Sequence, residues 1–208
     1  TITKATCGII NTSRIVSTSP FYSYPKKGGI VQADNALFLN NDTMIYHVGK
    51  PFMFAPKKKL SIHINGPEHF VNCTFKLDAN YTHSTPSGAV LHPWMVRLVD
   101  ANGLQFLACK FINNKYYGPT FANRNVLGIY ALNSSFKVSN KYKVTGFTPW
   151  GGSLSGTTTG ESKFDNFYDA IYAENGFGTK PVVIENSNFN DVTLGIRGMN
   201  LKLPIIVN

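Results

Sequence analysis

The chain has 208 residues, of which 43% are hydrophobic and 13% aromatic, so it has enough apolar material for a folded core and is not a disordered polypeptide. Only 15% of its residues are charged, and Asn, Thr, Ser and Gly must therefore supply much of the polar surface. The formal net charge is +9, but no zinc-finger or RNA-recognition motif accompanies it, so we expect no nucleic-acid partner. No apolar stretch approaches the ~20 residues that a membrane span needs.

Phenylalanines recur along the chain at intervals that predict a repeat. In chain order they are Phe38, Phe75, Phe111, Phe136, Phe164 and Phe189. The shortest intervals fit a unit of roughly 25 residues, and the first two are each longer by about 11. Each phenylalanine follows a small residue by two positions: Ala36, Cys73, Cys109, Ser134, Ser162 and Ser187. Because residues i and i+2 of a strand face the same side, we expect the small residue and the phenylalanine to point into the core.

Self-similarity at one shift supports this unit. Residues 103–111 match residues 128–136, and residues 162–171 match residues 187–196, both after the same shift. Asparagines, which tolerate the left-handed backbone of tight turns, follow the phenylalanines at Asn40, Asn41, Asn113, Asn114, Asn140, Asn166 and Asn190. Helix signals are nearly absent, the frame of a leucine-rich repeat is missing, and propeller blades need about 40–50 residues. The pattern therefore predicts short parallel strands that stack as the coils of a β-helix.

This pattern resembles the right-handed, pectate-lyase-like parallel β-helix of secreted bacterial surface proteins and carbohydrate-active enzymes. The resemblance covers about residues 28–200 and depends on the small-x-Phe-x-Asn and Gly/Ala-Ile repeats. It implies an all-β solenoid of about 6–8 coils of roughly 25 residues with loop insertions. We expect residues 1–208 to form a single β-helix domain that is a segment of a longer protein, located outside the cell or on its surface.

Three segments lie outside the repeat, at residues 81–94, 115–125 and 142–160. Insertions of a solenoid emerge as loops, and loops commonly carry function. Their aromatic side chains are therefore candidate sugar-binding residues: Tyr81, Trp94, Tyr116, Tyr117 and Trp150. The alternative is that these rings, with Phe121, close over the coils as small satellite cores.

Carboxylates are scarce, and the separation of Asp165 and Asp191 in the chain is close to one repeat unit. The resemblance to pectate lyases, which use an acidic cluster and an arginine base, makes Asp165, Asp169, Glu174, Asp191 and Arg197 the nearest candidates. Of these, Asp165 and Asp191, with Arg197, are the candidate catalytic residues, and the carboxylates would hold a calcium ion if one binds. The alternative is that each aspartate forms a turn with the asparagine beside it. The Asn-Thr-Asp, Asp-Asp, Gly-His-Gly and Arg-Ile-Lys segments typical of polygalacturonases are absent.

The three cysteines are too few for a disulfide framework. Cys73 and Cys109 occupy equivalent repeat positions, so we expect two free, buried thiols in adjacent coils, with a disulfide as the alternative. The five histidines and the cysteines lack the spacing of zinc ligands, and we expect no metal or other resident cofactor.

These observations favour an extracellular module that acts as a structural or carbohydrate-binding element, for example in adhesion. The expected partners are a polysaccharide and either flanking domains or a partner chain that cap the ends of the solenoid. The alternative function is that of a divergent polysaccharide lyase or glycoside hydrolase.

Overall fold

The computed structural model describes residues 1–3, 7–12, 14–19, 22–26, 31–48, 69–81, 94–114, 126–147, 153–174, 181–202 and 204–208. The described residues form strands and turns. In chain order the strands are β1 (Ile2–Thr3), β2 (Cys7–Thr12), β3 (Arg14–Ser19), β4 (Tyr22–Lys26), β5 (Gln32–Asp34), β6 (Leu37–Leu39), β7 (Thr43–Val48), β8 (His69–Val71), β9 (Thr74–Leu77), β10 (Trp94–Val99), β11 (Asn102–Leu107), β12 (Lys110–Asn113), β13 (Leu127–Leu132), β14 (Ser135–Ser139), β15 (Lys141–Phe147), β16 (Ser153–Thr159), β17 (Lys163–Asp165), β18 (Asp169–Glu174), β19 (Val182–Glu185), β20 (Asn188–Asn190), β21 (Leu194–Met199) and β22 (Ile205–Val207).

Eighteen of these strands form three six-stranded parallel sheets. Sheet 1 has the order β1-β6-β9-β12-β17-β20, sheet 2 the order β2-β7-β10-β13-β18-β21, and sheet 3 the order β5-β8-β11-β14-β19-β22. The chain visits sheets 1, 2 and 3 in turn and then starts again, which gives six stacked coils within the described residues. The remaining strands form two antiparallel hairpins, β3–β4 and β15–β16. The predicted fold class, an all-β parallel β-helix, is confirmed.

A column of phenylalanine rings runs through the core behind sheet 1. Consecutive rings stack nearly parallel, with centroid distances of 4.9, 4.8, 4.5 and 5.1 Å, in the order Phe38, Phe75, Phe111, Phe164 and Phe189. Parallel strands in register repeat at about 4.8 Å, so identical side chains on neighbouring coils meet at the spacing of ring stacking. The predicted inward position of these rings is confirmed, since the first four are 0–1% exposed.

The prediction that Phe136 belongs to this column is wrong. Phe136 lies in β14 of sheet 3, where it pairs with Leu104, and its ring meets Phe106 edge-on at 6.4 Å. The corner before β14 repeats the local pattern of the corners before sheet 1, in which a left-handed residue precedes a small, inward-facing one, here Asn133 and Ser134. The match between residues 103–111 and 128–136 has the same cause, because it aligns strands of different sheets.

The prediction of coils with loop insertions accounts for two of the long steps, and the step from Phe111 to Phe164 is the one that it did not foresee, because Phe136 was expected between them. The strand pairing joins Phe38 to Phe75, Phe75 to Phe111 and Phe111 to Phe164, and each of these three steps is longer than the predicted unit. Only the last step, from Phe164 to Phe189, has the predicted length. The longest step contains the β15–β16 hairpin, and the strands on either side of it remain paired in register.

Asparagine makes most of the tight corners, but of the asparagines predicted to do so after the phenylalanines only Asn40 and Asn166 have a positive φ. Ten described residues other than glycine have a positive φ, and seven of them are asparagine. Asn, with its short polar side chain, adopts the left-handed region at lower cost than most residues. The corner amides continue the parallel hydrogen bonding: Asn35 N–H donates to Val71 O at 2.9 Å, and Asn72 N–H donates to Leu107 O at 3.0 Å.

Candidate functional site on the outer face of sheet 2

Two of the five aromatic residues predicted to bind sugars lie among the described residues, and their environments differ. Tyr81 is 8% exposed and packs against the hydrophobic core, as the packing alternative predicted for it. Trp94 is the first residue of β10 and lies half-buried on the outer face of sheet 2. The remaining three candidates, Tyr116, Tyr117 and Trp150, lie outside the described residues, as does Phe121.

The candidate catalytic residues lie on two different sheets. Asp165 is in β17 of sheet 1, where its carboxylate accepts a hydrogen bond from Asn190 Nδ2 at 2.8 Å and pairs with Lys163 Nζ at 2.8 Å. Asp191 makes the left-handed corner after β20, in accord with the turn alternative. Arg197 is in β21 of sheet 2, so the structure does not bring it together with Asp165.

Arg197 belongs instead to a column of large side chains along the middle of the outer face of sheet 2. The strand register places one member on each of five successive coils, in the order Tyr46, Arg97, Tyr130, Tyr172 and Arg197. Trp94 and Asp169 lie beside this column at the start of their strands. We call these seven residues the ring–arginine platform. All seven lie within strands, so their spacing is set by the strand pairing itself.

The side chains of the platform contact one another along the axis of the β-helix. The Trp94 ring stacks on Tyr130 with centroids 5.4 Å apart, and the Tyr130 and Tyr172 rings are 5.6 Å apart. The Arg97 guanidinium carbon lies 4.4 Å from the Trp94 ring centroid and 5.0 Å from that of Tyr46. These contacts hold the rings on a rigid sheet, so they are arranged before any ligand arrives.

One end of the platform carries a buried carboxyl group. The side chain of Asp169 is only 7% exposed, and Arg197 Nη1 donates to its Oδ2 at 3.4 Å. The other carboxyl oxygen, Oδ1, has no hydrogen-bond donor among the described residues. Burial raises the pKa of Asp169, and the positive charge of Arg197 opposes that rise.

The tyrosines of the platform also have altered acidity. The Tyr130 hydroxyl donates to Glu174 Oε2 at 3.2 Å. Burial raises the pKa of Tyr130, and the nearby Glu174 carboxylate raises it further because it disfavours a second negative charge. Burial likewise raises the pKa of Tyr172. Both tyrosine hydroxyls therefore stay protonated at neutral pH and act as hydrogen-bond donors.

Most of the platform was not among the sequence candidates. The missed residues are Tyr46, Arg97, Tyr130 and Tyr172, whereas Trp94, Asp169 and Arg197 were named from the sequence. A signal for them was present, because in each coil the central residue directly follows an inward-facing Ile or Val: Ile45-Tyr46, Val96-Arg97, Ile129-Tyr130, Ile171-Tyr172 and Ile196-Arg197.

The predicted thiols are confirmed for two of the cysteines. Cys73 and Cys109 are both free and 0% exposed. Burial raises the pKa of Cys109 well above its ordinary value, so this thiol is a core group and a poor nucleophile. The side chain of Cys7 lies outside the described residues.

No known family model matches the chain, and comparison with curated proteins and with solved structures finds no similar protein. Within the described ranges, no three His, Cys, Asp or Glu side chains are grouped closely enough to hold a metal ion. The described part of the chain also contains no helix that is long and apolar enough to cross a membrane.

Proposed function

We propose that the protein is a polysaccharide-binding module that holds a glycan chain against the ring–arginine platform. The observation that supports this proposal is the unbroken contact of Trp94, Tyr130 and Tyr172 along the axis. Aromatic faces offer flat apolar surfaces to the C–H groups of sugar rings, while hydroxyl and guanidinium groups beside them bind sugar oxygens. The ligand would lie parallel to the axis, crossing one coil about every 4.8 Å.

The exposure of the platform supports a ligand rather than a purely structural role. Its central residues are half-buried, and Arg197 at the last coil has a side chain that is 44% exposed. A structural ladder would normally be buried or made of small polar residues, as in the Asn corners of this protein. Large aromatic residues on an accessible sheet face are instead typical of binding surfaces.

A binding role is favoured over hydrolysis by the positions of the carboxylates. Asp169 and Glu174 stand at opposite ends of β18, so their Cα atoms are separated by about 16 Å in an extended strand. The two carboxyl groups of glycoside hydrolases lie about 5–9.5 Å apart. Asp165 is also engaged, since it already holds Lys163 and Asn190. A module of this kind acts where polysaccharides occur, outside the cell or at its surface, which accords with the expected pectate-lyase-like class.

The test is a polysaccharide panel measured by affinity electrophoresis with the single variants Trp94→Ala, Tyr130→Ala and Tyr172→Ala. Each is expected to weaken binding by about threefold to tenfold, because one ring contact contributes about 0.5–1.5 kcal/mol. Tyr142→Ala is the matched control, since Tyr142 lies on the β15–β16 hairpin and contacts Asn72 instead of the platform. Binding that all three platform variants retain in full would refute the proposal, and breakdown of the bound polysaccharide would favour the enzyme alternative.

A further inference from the structure

Among the described residues of the three sheets, Arg97 differs from the other Lys and Arg cations in having no anionic partner. The lysines on the outer faces of sheets 1 and 3 each have a carboxylate oxygen within 2.8–2.9 Å, in the pairs Lys76–Asp78, Lys110–Glu161, Lys137–Glu185 and Lys163–Asp165. Arg197 has Asp169. Within the same described part of the chain, the buried Nε–H of Arg97 has no acceptor either.

The rings that surround Arg97 provide no hydrogen-bond acceptor for its buried Nε–H. The Trp94 and Tyr46 rings contact the guanidinium group and offset part of the cost of its burial. Rings bind the face of a guanidinium, however, and cannot accept hydrogen bonds in its plane, where its five donors point. The buried Nε–H carries this cost, and because Arg97 as a whole is only half-buried, an anionic ligand on its accessible side would offset it by pairing with the charge.

We propose that Arg97 binds an oxyanion carried by the glycan, either a carboxylate or a sulfate ester, next to the sugar that packs on Trp94. This inference rests on the proposed function and names the class of polysaccharide that the platform takes. The guanidinium fork matches two oxygens of one anionic group, which fixes the position of the glycan along the platform.

The distribution of charge along sheet 2 favours binding of the anion near β10, the strand that contains Arg97. Strands β7, β10 and β13 contain no Asp or Glu, whereas β18 contains both Asp169 and Glu174. An anionic group at Arg97 is therefore two coils from the strand whose carboxylates would repel it. The net charge of +9 on the whole chain attracts polyanions over a longer range and raises their rate of association.

The experiment compares three polymers with the same backbone: dextran, carboxymethyl-dextran and dextran sulfate. Affinity electrophoresis is run at an ionic strength of about 0.15 M, where screening suppresses non-specific attraction beyond about 8 Å. The unmodified protein is expected to bind one or both charged dextrans at least about tenfold more tightly than dextran. The charged polymer that binds more tightly identifies the anion as a carboxylate or a sulfate.

Two variants of Arg97 and one control make the test specific. Arg97→Leu is expected to abolish the preference for the charged dextran, and Arg97→Lys to keep only part of it because an ammonium lacks the planar fork. Lys141→Leu, on the exposed start of the β15–β16 hairpin, removes the same charge and is expected to keep the preference. Thermal unfolding of each variant shows that the fold is intact.

The outcomes separate this inference from the proposed function. A charged-to-neutral preference that is absent in the unmodified protein, or unchanged in Arg97→Leu, overturns the oxyanion subsite. If Tyr130→Ala still weakens binding in that case, the platform binds a glycan without an anion contact at Arg97. If Tyr130→Ala changes no affinity, the proposed function fails together with the inference.

Discussion

Phe111 and Phe164 stack face to face, with ring centroids 4.5 Å apart and planes 1° from parallel, although they lie far apart in the chain. Strands β13 and β14 and the β15–β16 hairpin lie between them in sequence, and the two strands that carry the rings still pair in register. The strand that carries Phe111 pairs with a neighbouring strand on each side, and this pairing sets the spacing of the rings in successive coils.

We predict that Phe111→Ala lowers the free energy of unfolding by about 3–5 kcal/mol, because it leaves a cavity in the middle of the column. Phe189→Ala is the matched control at the last coil, where the ring is half-buried, has one stacked neighbour and should cost less. Urea unfolding followed by circular dichroism measures both. Equal losses for the two variants would contradict the idea that the central column stabilises the fold.

The β15–β16 hairpin packs against the corners that follow strands β8 and β11 of sheet 3. Gly160, directly after the hairpin, lies so close to one of these corners that a larger residue would clash with it. Asn72 Nδ2 donates to the Tyr142 hydroxyl at 3.0 Å, and a Cβ atom added to Gly160 would lie 2.6 Å from Ala108 Cβ. Gly160→Ala should therefore destabilise the protein by about 1–3 kcal/mol through overpacking.

The companion variant Ala108→Gly tests the cause of that loss. It removes the atom that the new methyl group meets and also relieves the left-handed backbone of Ala108, which has φ 52°. In a double-mutant cycle, the cost of Gly160→Ala should fall markedly in the Ala108→Gly background. Additive costs would show that the two residues do not contact each other in this way.

The column behind sheet 1 was predictable because its signal is local. A small residue directly precedes every strand of sheet 1 from β6 to β20 and lies two positions before an inward phenylalanine, so strand periodicity alone gives the direction of the ring. Phe136 shares this local signal, and only the pairing of β14 with β11 and β19 shows that it belongs to sheet 3. The local pattern identifies a corner followed by a strand, but it does not show whether that strand belongs to sheet 1 or to sheet 3.

The platform was less predictable because its contacts depend on coil lengths that vary. The separation in the chain differs for each of the paired steps from Tyr46 to Arg97, from Arg97 to Tyr130 and from Tyr130 to Tyr172. No single period aligns these residues, and the insertions that change the coil length have no apolar periodicity to mark their ends. The repeated Ile or Val before each central residue gives the inward position, but the neighbours across the sheet emerge only from the strand register.

We predict that the contribution of Asp169 to the stability of the protein decreases as the pH rises. Burial raises the pKa of this carboxyl, so the native state binds a proton that the unfolded state has already released. Its contribution to stability is therefore greatest below the ordinary pKa of aspartate and is lost as the pH rises through the raised value in the native state. Asp78, Glu161 and Glu185 act in the opposite direction, because lysines lower the pKa of each.

Asp169→Asn isolates this effect from the other carboxylates. The variant keeps a polar group for Arg197 but cannot ionise, so its stability relative to the unmodified protein should rise as the pH increases from the ordinary pKa of aspartate through the raised pKa of the native state. Urea unfolding at a series of pH values measures the difference. A difference that is constant with pH, or that falls as the pH rises, would show that Asp169 is ionised without penalty in the fold.

The thiols of Cys73 and Cys109 are predicted to be protected until the coils separate. Both are fully buried, and each lies within sulfur hydrogen-bond distance of backbone carbonyls: Cys73 Sγ is 3.3 Å from Ala33 O, and Cys109 Sγ is 3.2 Å from Phe70 O. A thiol reagent needs access to the thiolate, and burial denies both access and ionisation at Cys109. In a Cys7→Ser background, Ellman's reagent should therefore release no colour from the native protein and two equivalents after denaturation. Rapid native reaction would mean that neighbouring coils open readily, while a denatured protein with no reactive thiol would mean that the two cysteines had formed the disulfide that the sequence left as an alternative.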